Sequence, residues 1–550
     1  MYFYPVKKAI FEHKLLNMKL FSKLFFGALM LISFQSFAQD TNTVDTTDYS
    51  QWSHGDLQTD TVVGISLDKA YQFAHEHNKT AKVVIVAIID SGVDTAHEDL
   101  KDRLWVNPKE IPYNGIDDDK NGYIDDVHGW NFIGNADGKN VNGDTWELTR
   151  LYRKYKKKFG KKSKKDISKS DQAEYKEWLK IKADYIKQRN KSREAVKNYE
   201  LYLGAIKNSN EILEKHLGAN FTKEDVERIK TTSDKLKWAV QMYEYFEGDP
   251  KPIQEALDYH QGLLLKKLNP RFHTRQIVGD DVNDINDRFY GNNDVTAETS
   301  SHGTGVAGIV AATRDNGIGV QGIADSVRIM IVRVVPGGDE RDKDVALGIR
   351  YAVDNGAQII NGSFGKSYSP HKEFVDSAIV YAERHGVLIV HAAGNSAENN
   401  DKVTHFPTAE YAPGKFVNNW IDVGASSSKL GLKLPASFSN YGRKSVDLFA
   451  PGVDIRSTSP KNKYSVSSGT SDASPVVTGV AALILSYYPN LSAVQLKAIL
   501  LQSARKYPKQ KVLLPGSDRK KTKFKKLSNT AGVVNAYEAM KLAEELYGEK

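Results

Sequence analysis

The chain changes rhythm twice. Val83 to Ile89 is an unbroken apolar, β-branched run, the pattern of a parallel strand buried on both faces. Strand-like runs recur at Arg328–Val335, Gln358–Ile360, Val387–Ala392 and Trp420–Ala425, with helical stretches at Lys343–Asn355 and Glu373–His385 between them. Leu67 to His77 reads as a further helix. This alternation predicts an α/β fold with a mostly parallel central sheet covered on both faces. Residues 151–270 break the pattern. Tyr175, Trp178, Leu179, Lys182 and Ile186 recur at helical spacing, as do Val196, Tyr199, Leu203 and Ile206. Thr222 with Asp225 marks a helix start, and Gly218 and Gly248 mark helix ends. The segment is predicted as an inserted α-helical hairpin, with the dense lysines of 154–165 in a solvated loop or helix end.

Charge follows the same division. The insertion carries 28 Lys and Arg against 18 Asp and Glu, a net +10, so the remaining chain is near −2 within a total of +8. The 550 residues contain no cysteine, which excludes disulfides, zinc–thiolate sites and a cysteine nucleophile. Met18-Lys19-Leu20 opens a short basic stretch, Leu24 to Phe34 is apolar, and Ser36-Phe37-Ala38 has cleavage-site spacing. The apolar run is too short to span a bilayer. The expected organisation is a signal peptide over 1–38 with its true start at Met18, then a flexible polar lead-in over 39–58. The main domain follows from 59–150 and 271–550, interrupted by the basic helical insertion at 151–270.

Candidate chemistry clusters at the ends of the predicted elements. Ser468-Gly469-Thr470-Ser471-Asp472-Ala473-Ser474-Pro475 is a small-residue turn leading into the apolar run Val476–Leu485. A serine there stands at the N-terminus of a buried helix, where free N–H groups and the helix dipole favour developing negative charge. Asp90 ends the first strand, and catalytic groups gather at the carboxyl ends of such sheets. Ser301-His302-Gly303-Thr304-Gly305 offers a histidine at a helix start. The loop Asp117 to Asp126 alternates oxygen-bearing side chains around Gly122. Asp117, Asp119, Asn121, the Tyr123 carbonyl and Asp125 or Asp126 could surround one hard cation. The spacing begins like an EF-hand, but His128 occupies its twelfth position and no closing glutamate follows. A solvated acidic turn is the alternative.

Taken with their flanks, and in the order Asp90, His302, Ser471, these motifs resemble those of the subtilisin-like serine proteases (subtilases), over roughly residues 60–145 and 272–540. The resemblance implies a subtilisin-like fold and a secreted serine endopeptidase. Ser471 would attack the scissile carbonyl, His302 would carry the proton, and Asp90 would orient the imidazole. His391-Ala392-Ala393-Gly394-Asn395 resembles the family's oxyanion segment, with Asn395 as a side-chain donor. Asn361-Gly362-Ser363-Phe364-Gly365 resembles the segment whose backbone pairs with extended substrate. Ser363, Phe364, Gly365, Ala393 and Gly394 are the substrate-binding candidates so implied. The resemblance also implies structural calcium at the acidic loop, and at a second site using Asn316 and Asp99. The position after the serine, usually methionine in the family, is Asp472 here.

The implied partners are peptide or protein substrates, with no nucleic acid and no stable membrane insertion after signal cleavage. Location would be bacterial, periplasmic or extracellular, with envelope association possible through the basic insertion. The alternative reading is a catalytically silent protein that uses the basic helical arm to hold polyanions or the cell envelope.

Overall fold

Strand β1 (Val84–Asp90) is apolar along both sides because it lies inside a sheet. Val84, Val86 and Ile88 join one apolar layer, while Ala87 and Ile89 join the other. The same alternation places Val327, Ile329 and Ile331 opposite Met330 and Val332 in a second strand. The computed structural model describes residues 51–296 and 300–548. The predicted signal peptide and most of the lead-in fall outside the described residues.

The sheet-forming strands after β1 are β2 (Gly129–Asn131), β3 (Val327–Arg333), β4 (Ile359–Gly362), β5 (Leu388–Ala392), β6 (Trp420–Ser426) and β7 (Leu448–Pro451). β8 (Ile455–Ser459) and β9 (Lys463–Ser467) form a separate antiparallel pair, and β10 (Arg505–Lys506) and β11 (Gly532–Val533) complete the main sheet. The main sheet has nine strands in the order β10-β11-β7-β6-β5-β4-β1-β3-β2. All neighbours are parallel except the edge pair β10–β11.

The helices of ten or more residues, in chain order, are α1 (Leu67–Glu76), α2 (Glu147–Phe159), α3 (Gln172–Leu217), α4 (Asp234–Phe246), α5 (Lys251–Gly262), α6 (Ser301–Ala311), α7 (Asp342–Asp354), α8 (Lys372–Arg384), α9 (Thr470–Tyr487), α10 (Ala493–Ser503) and α11 (Ala536–Tyr547); a short one at Lys223–Glu227 starts at Thr222, as the sequence predicts. Helices α1, α6, α9, α10 and α11 bury residues in one apolar layer, and α7 and α8 cover the other. The result is the predicted α/β architecture with a mostly parallel sheet. Among the described residues, no helix is long and apolar enough to cross a membrane.

Residues 51–58 correct the expectation of a flexible lead-in. Gln51 exchanges hydrogen bonds with Gln321, and the Trp52 indole donates to the Val453 carbonyl. Asp56 is buried and accepts from Ser66, Lys69 and Arg505. Burial pushes its carboxyl up, but the bonds from Lys69 and Ser66 outweigh burial and hold it below the usual carboxylate range. Polar composition here reflects buried hydrogen bonding, not mobility.

The chain divides into two units: residues 143–276 with 337–339 form one, and the rest the other. The smaller unit is helical, but not as a simple hairpin. Its long arm is the single 46-residue helix α3. The returning arm breaks into α4 and α5, where Glu247 and Gly248 take positive φ and Pro250 follows. Both return helices pack on α3, as does α2. The buried stripe on α3 is Trp178, Ile181 and Tyr185 (0–3% exposed), whereas Leu179 and Ile186 are 49% and 43% exposed. Leu179 and Ile186 are thus excluded from the face the sequence assigned them to, because α2 claims the neighbouring one: Tyr152 stacks on Tyr185 at 3.8 Å. Part of the lysine-rich segment is helical as well, since α2 buries Tyr155 and Phe159 while its lysines stay outside. The unit's entry and exit meet, with the Trp146 N–H bonded to the Lys267 carbonyl at 3.1 Å.

Candidate active site

Asp90 lies at the carboxyl end of β1, 1% exposed. His302 opens α6 and presents Nδ1 to both carboxylate oxygens, at 2.8 and 3.0 Å. This approach requires bare backbone. A Cβ on Gly303 would sit 2.1 Å from the Gly92 carbonyl, and Gly92 itself has φ +103°. The Gly303 N–H donates to Ser91 Oγ, pinning the helix start to the strand end. Partial desolvation of the ring opposes its charge, but the Asp90 carboxylate, its hydrogen bond and the charge of Asp472 prevail and push His302 up to about 9. The ring is 48% exposed, so solvent screens part of this attraction.

Ser471 stands in the first turn of α9, after Gly469 in extended conformation. Its hydroxyl donates to the Ser363 carbonyl at 3.3 Å. Pro475 lies four residues on and has no N–H to return to the Ser471 carbonyl. Ser363 Oγ supplies the missing donor at 3.0 Å. It is held in turn by the Asn361 amide and by Ser474, while Thr478 anchors Asn361. Ser363 therefore braces the nucleophile's turn with its side chain, a role distinct from the one the resemblance implied.

Asn395 follows β5. Its side-chain oxygen accepts from both the Thr470 N–H and the Thr470 hydroxyl at 2.9 Å. With the oxygen spent, the amide N–H₂ is the end left to face a ligand, beside the first turn of α9. Ala393 and Gly394 do not offer free backbone groups. The Ala393 carbonyl takes the Asn400 and Asn440 amides, its N–H goes to Val423, and the Gly394 N–H goes to Thr470. Through these bonds both residues hold the Asn395 loop in place. Phe364 packs against the apolar layer and Gly365 borders the Lys366–Phe406 bridge.

Asp472 is half-buried. It accepts from the Ser467 hydroxyl, and burial pushes its carboxyl up to about 6 against the pull of Ser467 and His302. Its negative charge favours the imidazolium form of His302. Removing it in Asp472→Asn should lower the His302 pKa and shift the acidic limb of activity to lower pH, read from kcat/KM against pH. A limb that stays in place would sink this coupling.

The acidic loop is narrower as a cation site than its sequence suggests. Asp125 accepts from the Asn114 and Gly115 N–H groups, and Asp126, fully buried, accepts from Asn107, Asn121 and Tyr351. Burial pushes Asp126 up to about 6. Asn121 spends its oxygen on the Tyr123 N–H. The carboxylates that converge are Asp117, Asp119 and Glu110, with oxygens within 4.8 Å of one another. Glu110 was missed by the sequence motif. It is 7% exposed and its Oε2 has no hydrogen-bond partner, as a group aimed at an ion would be. At the second site Asn316 faces Asp99 with its amide nitrogen at 2.7 Å, and the Val320 N–H takes the other Asp99 oxygen. The Asn316 oxygen in turn accepts from the Ile318 N–H.

A model of the Subtilase family matches residues 81–533. Thermophilic serine proteinase from Bacillus sp. (strain AK1) is 41% identical over 210 residues, covering 38% of this chain and 48% of that protein. Subtilisin DY from Bacillus licheniformis is 39% identical over 219 residues, covering 39% of this chain and 74% of the relative. Cell wall-associated protease from Bacillus subtilis (strain 168) is 33% identical over 222 residues, covering 40% of this chain and 23% of that protein.

Proposed function

The chain belongs to the subtilase family, and from that premise we propose that it is an exported serine endopeptidase working through an acyl-enzyme. The observation that carries this reading is the pairing of Asp90 with His302 Nδ1, together with a serine at a helix N-terminus whose neighbour Asp472 acts on His302, next to a pre-oriented asparagine amide. Ser471 Oγ leaves the Ser363 carbonyl by a side-chain rotation and gives its proton to His302 Nε2 as it attacks the scissile carbonyl. Asp90 holds the ring's tautomer and stabilises the imidazolium. The Asn395 amide and the Ser471 N–H receive the oxyanion. His302 then returns the proton to the leaving amine, and water repeats the sequence on the acyl-enzyme. A fluorophosphonate probe that labels the wild type but not Ser471→Ala tests the reading; no labelling of folded wild type would favour a silent binding protein.

Export would use the signal ending at Ala38, and the +10 insertion would be the part drawn to an acidic envelope polymer. Calcium fits the oxygen set of Glu110, Asp117 and Asp119, where it would supply charge compensation for the loop and no catalytic step. A ligand at 100 times its dissociation constant stabilises by about 2.7 kcal/mol, so the melting temperature should rise with calcium and fall with chelator. Glu110→Gln and Asp119→Asn should flatten that difference. Equal melting curves in calcium and chelator for the wild type would remove the site.

A further inference from the structure

A second histidine–carboxylate pair lies outside the triad. His391 on β5 is 2% exposed; its Nδ1 meets Asp422 Oδ1 at 2.7 Å and its Nε2 meets the Phe364 carbonyl at 2.9 Å. The Phe364 carbonyl can only accept, so the bond at Nε2 is one the ring donates, while Nδ1 faces the carboxylate. The Trp420 ring packs beside the imidazole at 5.0 Å. A Cβ on Gly362 or Gly365 would lie 3.6 and 3.8 Å from the ring, so the turn that ends β4 rests on this histidine.

We propose that His391, oriented by Asp422, is a positioning residue that sets the Ser363–Gly365 turn for an extended peptide. The inference rests on the endopeptidase reading. The Phe364 carbonyl and the Gly365 N–H share one planar peptide unit and point in opposite directions. Anchoring the carboxyl-side oxygen of Phe364 on His391 therefore turns the Gly365 N–H away from the core, where an incoming strand can take it. Specificity for extended substrate is thus held by a bond made beneath the cleft. The charged groups around the pair are Asp422 on β6, Asp447 beside it, whose carboxylate accepts the Asp422 N–H, and Lys497 of α10, which attracts Asp447.

The test compares a short substrate, with one residue before the scissile bond, with a tetrapeptide amide, using the full chain in calcium buffer. His391→Asn keeps an amide near Asp422 but cannot reach the Phe364 carbonyl. It should raise KM for the tetrapeptide by roughly tenfold, the loss of about one buried hydrogen bond, with kcat and the short substrate within about twofold of wild type. His391→Gln, whose amide reaches the Nε2 position, should restore KM. Asp422→Asn should reproduce the length-dependent rise in weaker form, and decides the matter if His391→Asn does not fold. An unchanged tetrapeptide KM, or equal losses on both substrates, would overturn the proposal. Fluorophosphonate labelling of each variant separates the cases. Labelling at the wild-type rate with unchanged KM defeats this inference alone, whereas a wild type that does not label defeats the endopeptidase reading and this inference with it.

Discussion

Ser471→Ala should lower kcat on a tetrapeptide amide by roughly 10⁶-fold, the loss known for the equivalent serine of subtilisin itself, while leaving the fold intact. The fold should survive because the hydroxyl makes one modest bond, to the Ser363 carbonyl at 3.3 Å, and α9 is held by its buried apolar residues. His302→Ala and Asp90→Ala should also be severe, and the double variants should lose little more, since the three groups act as a unit. Purified Ser471→Ala that keeps more than a few per cent of wild-type turnover would end the nucleophile assignment.

The second large effect belongs to Asn395. Asn395→Ala should cost about 10²–10³ in kcat with little change in KM, because an oxyanion donor acts on charge that appears only in the transition state. The structure adds a graded control. Thr470 fixes the amide by giving both its N–H and its hydroxyl to the Asn395 oxygen, and its hydroxyl also accepts from Gly394. Thr470→Val removes one of the two bonds on Asn395 and should show an intermediate loss in kcat. Full activity in Asn395→Ala would mean that the backbone N–H at Ser471 suffices for the oxyanion.

Strands β1 and β3 to β6 were legible because each is an apolar run buried on two faces, which leaves a signal independent of neighbours; β2, β7, β10 and β11, two to four residues each, are too short to carry one. The turn residues were legible for a related reason: Gly92 and Gly303 sit where a Cβ would collide with backbone. The contributions of Ser363 and Glu110 were not. Ser363 matters because Pro475, 112 residues later, leaves a carbonyl without its donor, and no local pattern encodes that debt. Glu110 lies seven residues before the acidic loop, and only its burial with a free oxygen marks it. The insertion's buried stripe slipped for the same reason. Tyr185 rather than Leu179 is covered because α2 lies against it, a fact about tertiary packing and not about α3 alone.

The meeting of Trp146 with Lys267 bears on how the chain finds its structure. Asp90 and His302 are separated by 212 residues, a long loop to close for one pair. The segment 143–276 accounts for most of that distance, and its helices make contacts chiefly among themselves, the kind of local structure that forms quickly. Once it has folded, the path from Asp90 to His302 shortens to about 80 residues, a reduction in closure entropy on the order of 1 kcal/mol. In kinetic terms the branch subtracts itself from the contour, and β1 meets α6 and β3 as if the intervening sequence were a modest loop.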